Sequence, residues 1–299
     1  MQNSPCENLS DVTILANMRI DTSQKLQYFK DSFLSFPNGM FLQWVVNIRG
    51  KLKHDAAEFI KKQKIPLLRV SHVETRRGWH RDFADLASYV DTQYVFIWLE
   101  DHMCVATDEV LCKTIEEFIL SGADIMPYSG LNCNTRGYYK DVPSSLSLKF
   151  HDIYALNAKT SMNYKMLHKK EHYLFTLTVV LKKSALLDHL SNSNTFIRHW
   201  PASSPFDFER RCGFLKKGVL FFAYPKSEIF ACIDDDMGVS GYSLVSRNEY
   251  KDNFKEDISK KKEMRQKGVS EGKSFVVKLF LFFAFKIKRF FYSVFFFIK

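Results

Sequence analysis

Residues 94–102, YVFIWLEDH, give the clearest indication of the fold. The first six of these residues are apolar and rich in Val, Ile and aromatic side chains, which is typical of a strand buried on both faces in a parallel sheet covered by helices. The run then ends, without a turn residue, in Glu100, Asp101 and His102. Parallel sheets bind ligands just beyond the carboxyl ends of their strands, so these side chains are candidate ligands. A solvated, inert boundary between strand and loop is the alternative.

Two carboxylates and an imidazole at one strand end cost free energy on folding unless another group pairs with them. Carboxylate and imidazole groups suit divalent cations such as Mn²⁺ or Mg²⁺. The sequence therefore favours a divalent cation, held together with a diphosphate, as the partner of Glu100, Asp101 and His102.

Strands and helices alternate through the first half of the chain. Apolar runs predict strands at residues 12–16, 41–48, 67–70, 94–99 and 123–126, and helices that begin at residue 22 or cover residues 55–60, 82–90 and 108–120. Thr107 is a typical helix N-cap and Gly122 a typical stop signal. Alternating elements with short connections predict an α/β fold, with a mostly parallel sheet flanked by helices.

The second half is less regular. Residues 130–147 are loop-like, residues 151–172 are polar, and a further strand and helix are predicted at residues 173–181 and 184–190. We expect residues 1–130 and 131–248 to be two halves of one domain, followed by a tail at residues 249–299.

The positive charge of the chain is concentrated in that tail. The net charge is +10, and residues 251–299 hold 13 of the 43 Lys and Arg residues but 5 of the 33 Asp and Glu residues. The rest of the chain is close to neutral. A nucleic-acid-binding protein is expected to spread its basic residues over a folded face, so this distribution argues against a nucleic-acid partner.

Ten of the 28 phenylalanines lie within one stretch of the tail, between Phe275 and Phe297. This stretch is long enough to span a bilayer, but Lys286, Lys288 and Arg289 lie near its middle, and each central charge costs about 2.5 to 3.5 kcal/mol. On a helical wheel the charges share one side. The pattern predicts an amphipathic helix in the interface of an anionic membrane; a core helix of the domain is the alternative.

Several familiar sequence signatures are missing. The opening residues do not have the pattern of a secretory signal, and the six cysteines form neither a CxxC pair nor a Cys/His zinc spacing. The chain has no P-loop, GxGxxG, GxSxG or HExxH motif. The sequence therefore gives no support to the enzyme classes that these motifs define.

Three features, in this order, resemble inverting glycosyltransferases with the GT-A fold, of the family-2-like kind that builds bacterial surface polysaccharides. They are the opening strand with its helix, the Arg77-Gly78 pair and the helix that leads into residues 94–102, and the acidic motif PFDFE at residues 205–209. The first two cover residues 11–130. By this resemblance, residues 1–130 are the nucleotide-sugar-binding half and residues 131–248 the acceptor-binding half.

The resemblance also assigns roles to the residues after the central strand. The family has an acidic triplet there that holds the metal and the diphosphate of the sugar nucleotide. Glu100 takes its first place, Asp101 its middle and His102 its last, where the family has an acid. Asp101 and His102 are then the expected metal ligands, since an imidazole can bind Mn²⁺.

Further donor contacts are expected after the first strand. By resemblance, Asn17, Arg19 and Asp21 lie where the fold approaches the nucleotide base and ribose. Arg76 and Arg77 precede a helix and can face phosphate, because a guanidinium offers it a fork of donors. Plain solvent exposure is the alternative for each arginine.

An acceptor hydroxyl must lose its proton as it attacks, and a positioned carboxylate can take it. By resemblance this base lies in the motif at residues 205–209, where Asp207 and Glu209 both fit, although only one faces the site if the segment is extended. We expect Glu209, because the two arginines that follow can pair with Asp207. A simple helix start is the alternative. The acidic run at residues 234–236 is the second candidate for metal binding.

We therefore interpret the chain as a glycosyltransferase that moves a sugar from a nucleotide-sugar donor to a hydroxyl of a lipid-linked or oligosaccharide acceptor. By resemblance the reaction proceeds with inversion, and the tail predicts a peripheral enzyme on the cytoplasmic face of the inner membrane. One alternative is a sugar nucleotidyltransferase, which the missing Gly-rich phosphate loop disfavours. The other is a catalytically degenerate membrane-bound scaffold, suggested by His102 in place of an acid.

Overall fold

A computed structural model describes residues 9–37, 39–75, 78–128, 146–156, 177–191, 205, 219–234 and 242–251. Residues up to Tyr250 belong to one unit, and Lys251–Lys299 to another. The predicted membrane helix lies outside the described residues. Within the described ranges, the helices are all too short or too polar to traverse a bilayer.

Eleven strands and five helices lie within these ranges. The strands are β1 Val12–Arg19, β2 Gln43–Arg49, β3 Leu67–Ser71, β4 Tyr94–Ile97, β5 His102–Cys104, β6 Ile125–Pro127, β7 Leu146–Ser147, β8 His151–Leu156, β9 Val179–Lys182, β10 Leu220–Pro225 and β11 Phe230–Cys232. The helices are α1 Ser23–Leu34, α2 Lys53–Lys61, α3 Trp79–Ala87, α4 Asp108–Ser121 and α5 Lys183–Ser191.

Nine strands form one sheet in the order β3-β2-β1-β4-β9-β6-β10-β8-β7. β1 to β4 run parallel, as predicted. A helix connects each of these strands to the next, and such a crossover connection returns the chain to the end of the sheet where parallel strands begin. β9 lies antiparallel between β4 and β6, and β8 and β7 add antiparallel pairs beyond β10. The N-terminal half of the chain thus supplies the parallel strands β1 to β4, and the second half supplies β10, which runs parallel to β6, and the antiparallel strands β8 and β9.

The strand order reverses beside β1. The chain passes from β1 to β2 and β3 on one side, and β4 then lies on the other side of β1. In open α/β sheets such a reversal leaves a crevice at the carboxyl ends of the two strands, which is where ligands bind. β1 ends at Arg19 and β4 at Ile97. The residues after β4 and at the end of β1 therefore border the same crevice.

Two apolar clusters cover the two faces of the sheet, and β4 contributes to both. Phe96 and Trp98 pack in the larger cluster, and Val95 and Ile97 in the second. These four residues are at most 1% exposed. The prediction of a strand buried on both faces is confirmed, because neighbouring residues of a strand point to opposite faces.

Other sequence predictions are confirmed only in part. α4 has Thr107 as its N-cap, with the side chain accepting from the backbone N of Val110, and ends at Gly122 in the left-handed region, as predicted. β1 is longer than expected and β4 shorter. β8 forms within a stretch predicted to be polar, because its last four residues are apolar or aromatic and the whole strand pairs with β10.

Candidate functional site

Asn17 fastens the carboxyl end of β1 to its neighbours. Its Nδ2 donates to the carbonyl oxygen of Trp79 at 3.3 Å, and its Oδ1 accepts from Asn47 Nδ2 at 3.0 Å. Trp79 Nε1 in turn donates to the carbonyl oxygen of Asn17 at 2.8 Å. Asn47 Oδ1 accepts from Ser71 Oγ and from the backbone N of Val73. The Asn17 side chain, expected near the base or ribose, thus joins β1 to β2 and α3.

Arg19 and Asp21, the next two predicted donor contacts, form an ion pair with 2.7 Å between Nε and Oδ2. Arg19 also pairs with Glu74. Burial by itself would raise the pKa of Asp21, but hydrogen bonds from Arg19 and from the backbone N of Lys51 lower it. The Arg19 and Asp21 side chains are 43% and 34% exposed, so the pair lies at the open rim of the crevice.

Arg49 is a buried charge at the same edge. It is the last residue of β2 and the register partner of Arg19 on β1. The residue is 3% exposed, and its Nε has no hydrogen-bond acceptor among the described residues. Burial lowers the pKa of Arg49, and the charges of Glu74 and Asp82 oppose that shift. A buried guanidinium is costly without fixed acceptors, so a ligand rich in acceptors is expected here.

Backbone hydrogen bonds hold the turn after Arg49 against the end of β1. Arg49 O accepts from the backbone N of Ile20, and Ile20 O accepts from the backbone N of Leu52, each at 2.9 Å. Gly50 between them has a φ of 96°, and a Cβ there would lie 2.5 Å from Ile20 O. Only glycine fits this close approach. The end of β2, and Arg49 with it, is therefore fixed against the end of β1.

Helix α1 supports the segment that follows β4. Ser32 Oγ accepts from Trp98 Nε1 at 2.8 Å and donates to the carbonyl oxygen of His102. Ser35 Oγ accepts from the backbone N of Cys104 at 2.9 Å. Two serines one helical turn apart thus hold both ends of the turn that carries Glu100 and Asp101, which sequence reasoning did not anticipate.

Of the three side chains predicted to bind metal and diphosphate, Glu100 faces Lys25 of α1, with 3.4 Å between Oε1 and Nζ. Burial and the neighbouring charge of Asp101 raise the pKa of Glu100, and Lys25 opposes this shift. The charge of Glu100 also acts on Arg49. These interactions link the end of β4 electrostatically to the end of β2.

Asp101 and His102 lie together with Cys232. His102 Nδ1 and Asp101 Oδ1 are 2.7 Å apart, and Cys232 of β11 is the register partner of His102 on β5. One ligand atom from each residue lies within 4.8 Å of the other two. Burial alone would raise the pKa of Asp101, but the charge and hydrogen bond of His102 and the charge of Lys25 lower it. This favours an ionised carboxylate, as a metal ligand must be.

Arg49 and Cys232 were not among the predicted site residues. The predicted second strand stopped at Ile48, so the charge that ends it went unnoticed, although a charge directly after a buried strand was the signal used at Glu100. Cys232 follows a short apolar run far along the chain, and only the pairing of β5 with β11 brings it to His102.

The remaining predicted site residues stay predictions. Arg76, Arg77, Asp207 and Glu209 lie outside the described residues. Of the acidic run at residues 234–236, only Asp234 is described, and it is exposed.

Comparisons with known proteins give structural likeness but no family. No protein-family profile matches the chain. No curated protein sequence matches it. Solved structures with a similar chain path include S. aureus TarS 1-349, the mannosyltransferase PcManGT from Pyrobaculum calidifontis in complex with GDP-Man and Mn²⁺, and a UDP-glucose pyrophosphorylase complexed with UDP-glucose.

The three likenesses are weak in sequence. TarS 1-349 is 13% identical over 74% of this chain with a TM-score of 0.46, and this chain covers 59% of its length. PcManGT is 12% identical over 80% of this chain, which covers 60% of its length, with a TM-score of 0.47. The pyrophosphorylase is 10% identical over 81% of this chain, which covers 99% of its length, with a TM-score of 0.45. TM-scores below 0.5 do not assign a reaction to this chain.

Proposed function

We propose that the chain is a glycosyltransferase that binds a nucleotide sugar in the crevice between β1 and β4. One observation carries the proposal: the carboxyl edge of the sheet at the strand reversal holds Arg49, a buried guanidinium whose Nε has no acceptor among the described residues, and the metal-capable pair Asp101 and His102. A nucleotide diphosphate offers acceptors to the first and negative charge to a cation held by the second.

The arrangement suits departure of a nucleoside diphosphate. As the bond to the sugar breaks, negative charge grows on the leaving diphosphate, and fixed positive charge nearby stabilises it. Asp101 and His102 offer a carboxylate and an imidazole, which fit a divalent cation, and such a cation would supply Lewis-acid stabilisation there. Lys25, 3.4 Å from Glu100, adds a second positive charge at the same turn.

The acceptor side of the proposal rests on the sequence. Glu209 is the proposed general base and Asp207 the alternative, and direct attack by the acceptor hydroxyl would invert the configuration of the sugar. The basic, Phe-rich tail at residues 249–299 supports an acceptor linked to a membrane lipid, used at the cytoplasmic face of the inner membrane.

Donor binding is tested with a thermal-shift panel of UDP-, GDP-, TDP- and CMP-sugars in the presence of a divalent cation. We expect one nucleotide class to stabilise the wild type and Arg49→Met to remove that shift. Arg69→Met is the matched control, because Arg69 lies on the neighbouring strand β3 and stacks on the Tyr89 ring at 3.3 Å. A panel with no stabilising nucleotide sugar would overturn the proposal.

The reaction is tested by its products. A glycosyltransferase releases a nucleoside diphosphate from a UDP-, GDP- or TDP-sugar, and CMP from a CMP-sugar. A nucleotidyltransferase instead releases pyrophosphate from a nucleoside triphosphate and a sugar phosphate, and that result would replace the proposed reaction. Glu209→Gln should lower transfer by about 10²- to 10⁴-fold with donor affinity nearly unchanged, and Asp207→Asn is its control. If Asp207→Asn abolishes transfer and Glu209→Gln does not, the two roles are exchanged.

A further inference from the structure

Cys232 is the part of the Asp101, His102 and Cys232 cluster that the proposed function does not use. We infer that these three side chains form a zinc-type site, in which Cys232 is the third protein ligand. The inference rests on the geometry and chemistry of the three side chains, so it stands apart from the question of which group the enzyme transfers.

The backbone holds these ligands in register. His102 and Cys232 are opposite each other in the antiparallel pair of β5 and β11, so their side chains share one face of that pair. The backbone N of Ile233 donates to Asp101 O at 2.8 Å, and that of Leu244 donates to Cys232 O at 2.9 Å. The first bond continues the pairing of the two strands beyond the ligand set, and the second joins β11 to the segment at residues 242–250, so the backbone at all three ligands is fixed.

The spacing of the ligand atoms fits a small cation. Tetrahedral zinc with bonds of about 2.0 to 2.3 Å places its ligand atoms about 3.3 to 3.8 Å apart. In this structure one ligand atom from each of Asp101, His102 and Cys232 lies within 4.8 Å of the other two. The remaining difference is about 1 Å or a little more, which small side-chain rotations can close.

The donor set selects the kind of metal. Mg²⁺ takes oxygen ligands, and Mn²⁺ favours carboxylates, carbonyls and water, whereas a thiolate with an imidazole is typical of zinc. Cys232 is not part of a disulfide, and the residue is 3% exposed. The structure thus changes the metal expected from Asp101 and His102 alone, from Mn²⁺ or Mg²⁺ to a softer cation.

The surroundings leave the site open on one side. The His102 side chain is 9% exposed and that of Asp101 is 38% exposed. Catalytic zinc sites have three protein ligands and an open fourth position, whereas structural sites are closed by four. Among the described residues the cluster has three ligands, of which the Asp101 carboxylate is partly exposed, and this matches the open type, with water or a phosphate oxygen as the fourth ligand.

The test uses the full chain and Zn²⁺, Mn²⁺, Mg²⁺ and Co²⁺ as separate probes. By calorimetry we expect Zn²⁺ to bind at least about 100-fold more tightly than Mn²⁺ or Mg²⁺. Co²⁺ should produce the near-ultraviolet charge-transfer band of a cobalt–thiolate bond. Cys232→Ser should remove this band and weaken Zn²⁺ binding at least about tenfold.

Cys104→Ser is the matched control, because Cys104 lies on the same strand as His102 but outside the ligand set. It should keep both the cobalt band and the Zn²⁺ affinity of the wild type. Asp101→Asn, at a partly exposed turn position, gives a second measurement if Cys232→Ser does not fold, and it should also weaken Zn²⁺ binding.

An absent cobalt band, a band retained in Cys232→Ser, or Mn²⁺ binding as tight as Zn²⁺ binding would each overturn the zinc site. None of these measurements uses a nucleotide sugar. A protein that binds Zn²⁺ through Cys232 but no nucleotide sugar would therefore keep this inference and lose the proposed function, and the reverse result would separate them equally well.

Discussion

His102 and His151 are both buried histidines beside a carboxylate, yet they lie in different settings. His151 on β8 has Nδ1 3.0 Å from Glu117 Oε1 and Nε2 3.0 Å from Met126 Sδ, so both ring nitrogens have partners inside the protein. His102 on β5 lies between Asp101 and Cys232, beside the crevice at the strand reversal. A buried histidine–carboxylate pair therefore does not mark a functional site by itself. Whether the pair is structural or functional depends on the groups around it.

The two carboxylates differ in the same way. Glu117 accepts from the backbone N of Phe150 at 2.8 Å and of Lys149 at 3.1 Å, in addition to His151. Its oxygens organise the start of β8. Asp101 contacts His102, and its side chain is 38% exposed compared with 20% for Glu117. The pair at β8 thus stabilises the fold, whereas the pair at β5 remains accessible to a ligand.

The largest effect that tests this comparison is expected at Glu117. Glu117→Ala leaves His151 Nδ1 and two backbone N–H groups without their acceptor, which should lower the free energy of unfolding by about 2 to 3 kcal/mol. Urea denaturation measures this. Glu58→Ala is the control, since Glu58 is 67% exposed and pairs with Lys62 at the surface, and it should change stability by less than about 0.5 kcal/mol. A Glu117→Ala effect as small as the control's would mean that the pair at β8 is not structural.

A smaller effect, on binding rather than stability, is expected at His102. His102→Gln should weaken binding of the nucleotide sugar that best stabilises the wild type by about tenfold in the presence of divalent cation, or about 1.4 kcal/mol. The free energy of unfolding should fall by less than about 1 kcal/mol. Calorimetry and denaturation separate the two quantities. His151→Gln should show the opposite pattern, and equal loss of binding in both variants would contradict the division between them.

The sequence predicted the part of the fold in which the pattern is local. An apolar run on β4, a capping threonine before α4 and a glycine after it identified their elements, because each signal lies within a few residues of its effect. β8 was missed because His151 and Asp152 make its start polar, and their burial and pairing depend on Glu117, Ser147 and Lys226 elsewhere in the chain. Long-range partners of this kind leave no local pattern.

The residues of the candidate site also divide into those with a local sequence signal and those placed by long-range strand pairing. Asp101 and His102 were predicted from their place after a buried strand, which is a local signal. Cys232 joins them only through the register of β5 with β11. Arg49 reaches the crevice through the parallel pairing of β2 with β1. A single sequence does not contain the register of β5 with β11, so Cys232 could not be placed in advance, whereas the charge of Arg49 directly after a buried strand was a local signal.

The smallest effect is a pH dependence of stability, and it belongs to His151. Burial lowers the pKa of His151, while its hydrogen bond and attraction to Glu117 oppose the shift. In the unfolded chain the same imidazole has a pKa of about 6.5. As the pH falls through 6.5, the unfolded state takes up a proton that the folded state does not, so the folded state loses relative stability. More than about one pH unit above 6.5 this contribution is constant.

Replacement by glutamine removes this titration and leaves the other groups of the chain in place. If the folded state stays neutral at His151 down to pH 6, the wild type should lose about 0.7 kcal/mol more than His151→Gln between pH 7 and pH 6. Denaturant midpoints at the two pH values, each converted with its own m-value, measure the difference. The shared carboxylates cancel in it. A difference near zero would mean that His151 takes up its proton in the folded state as readily as in the unfolded chain. The contrast between His151, whose two ring nitrogens have partners, and the more accessible His102 would then rest on geometry alone.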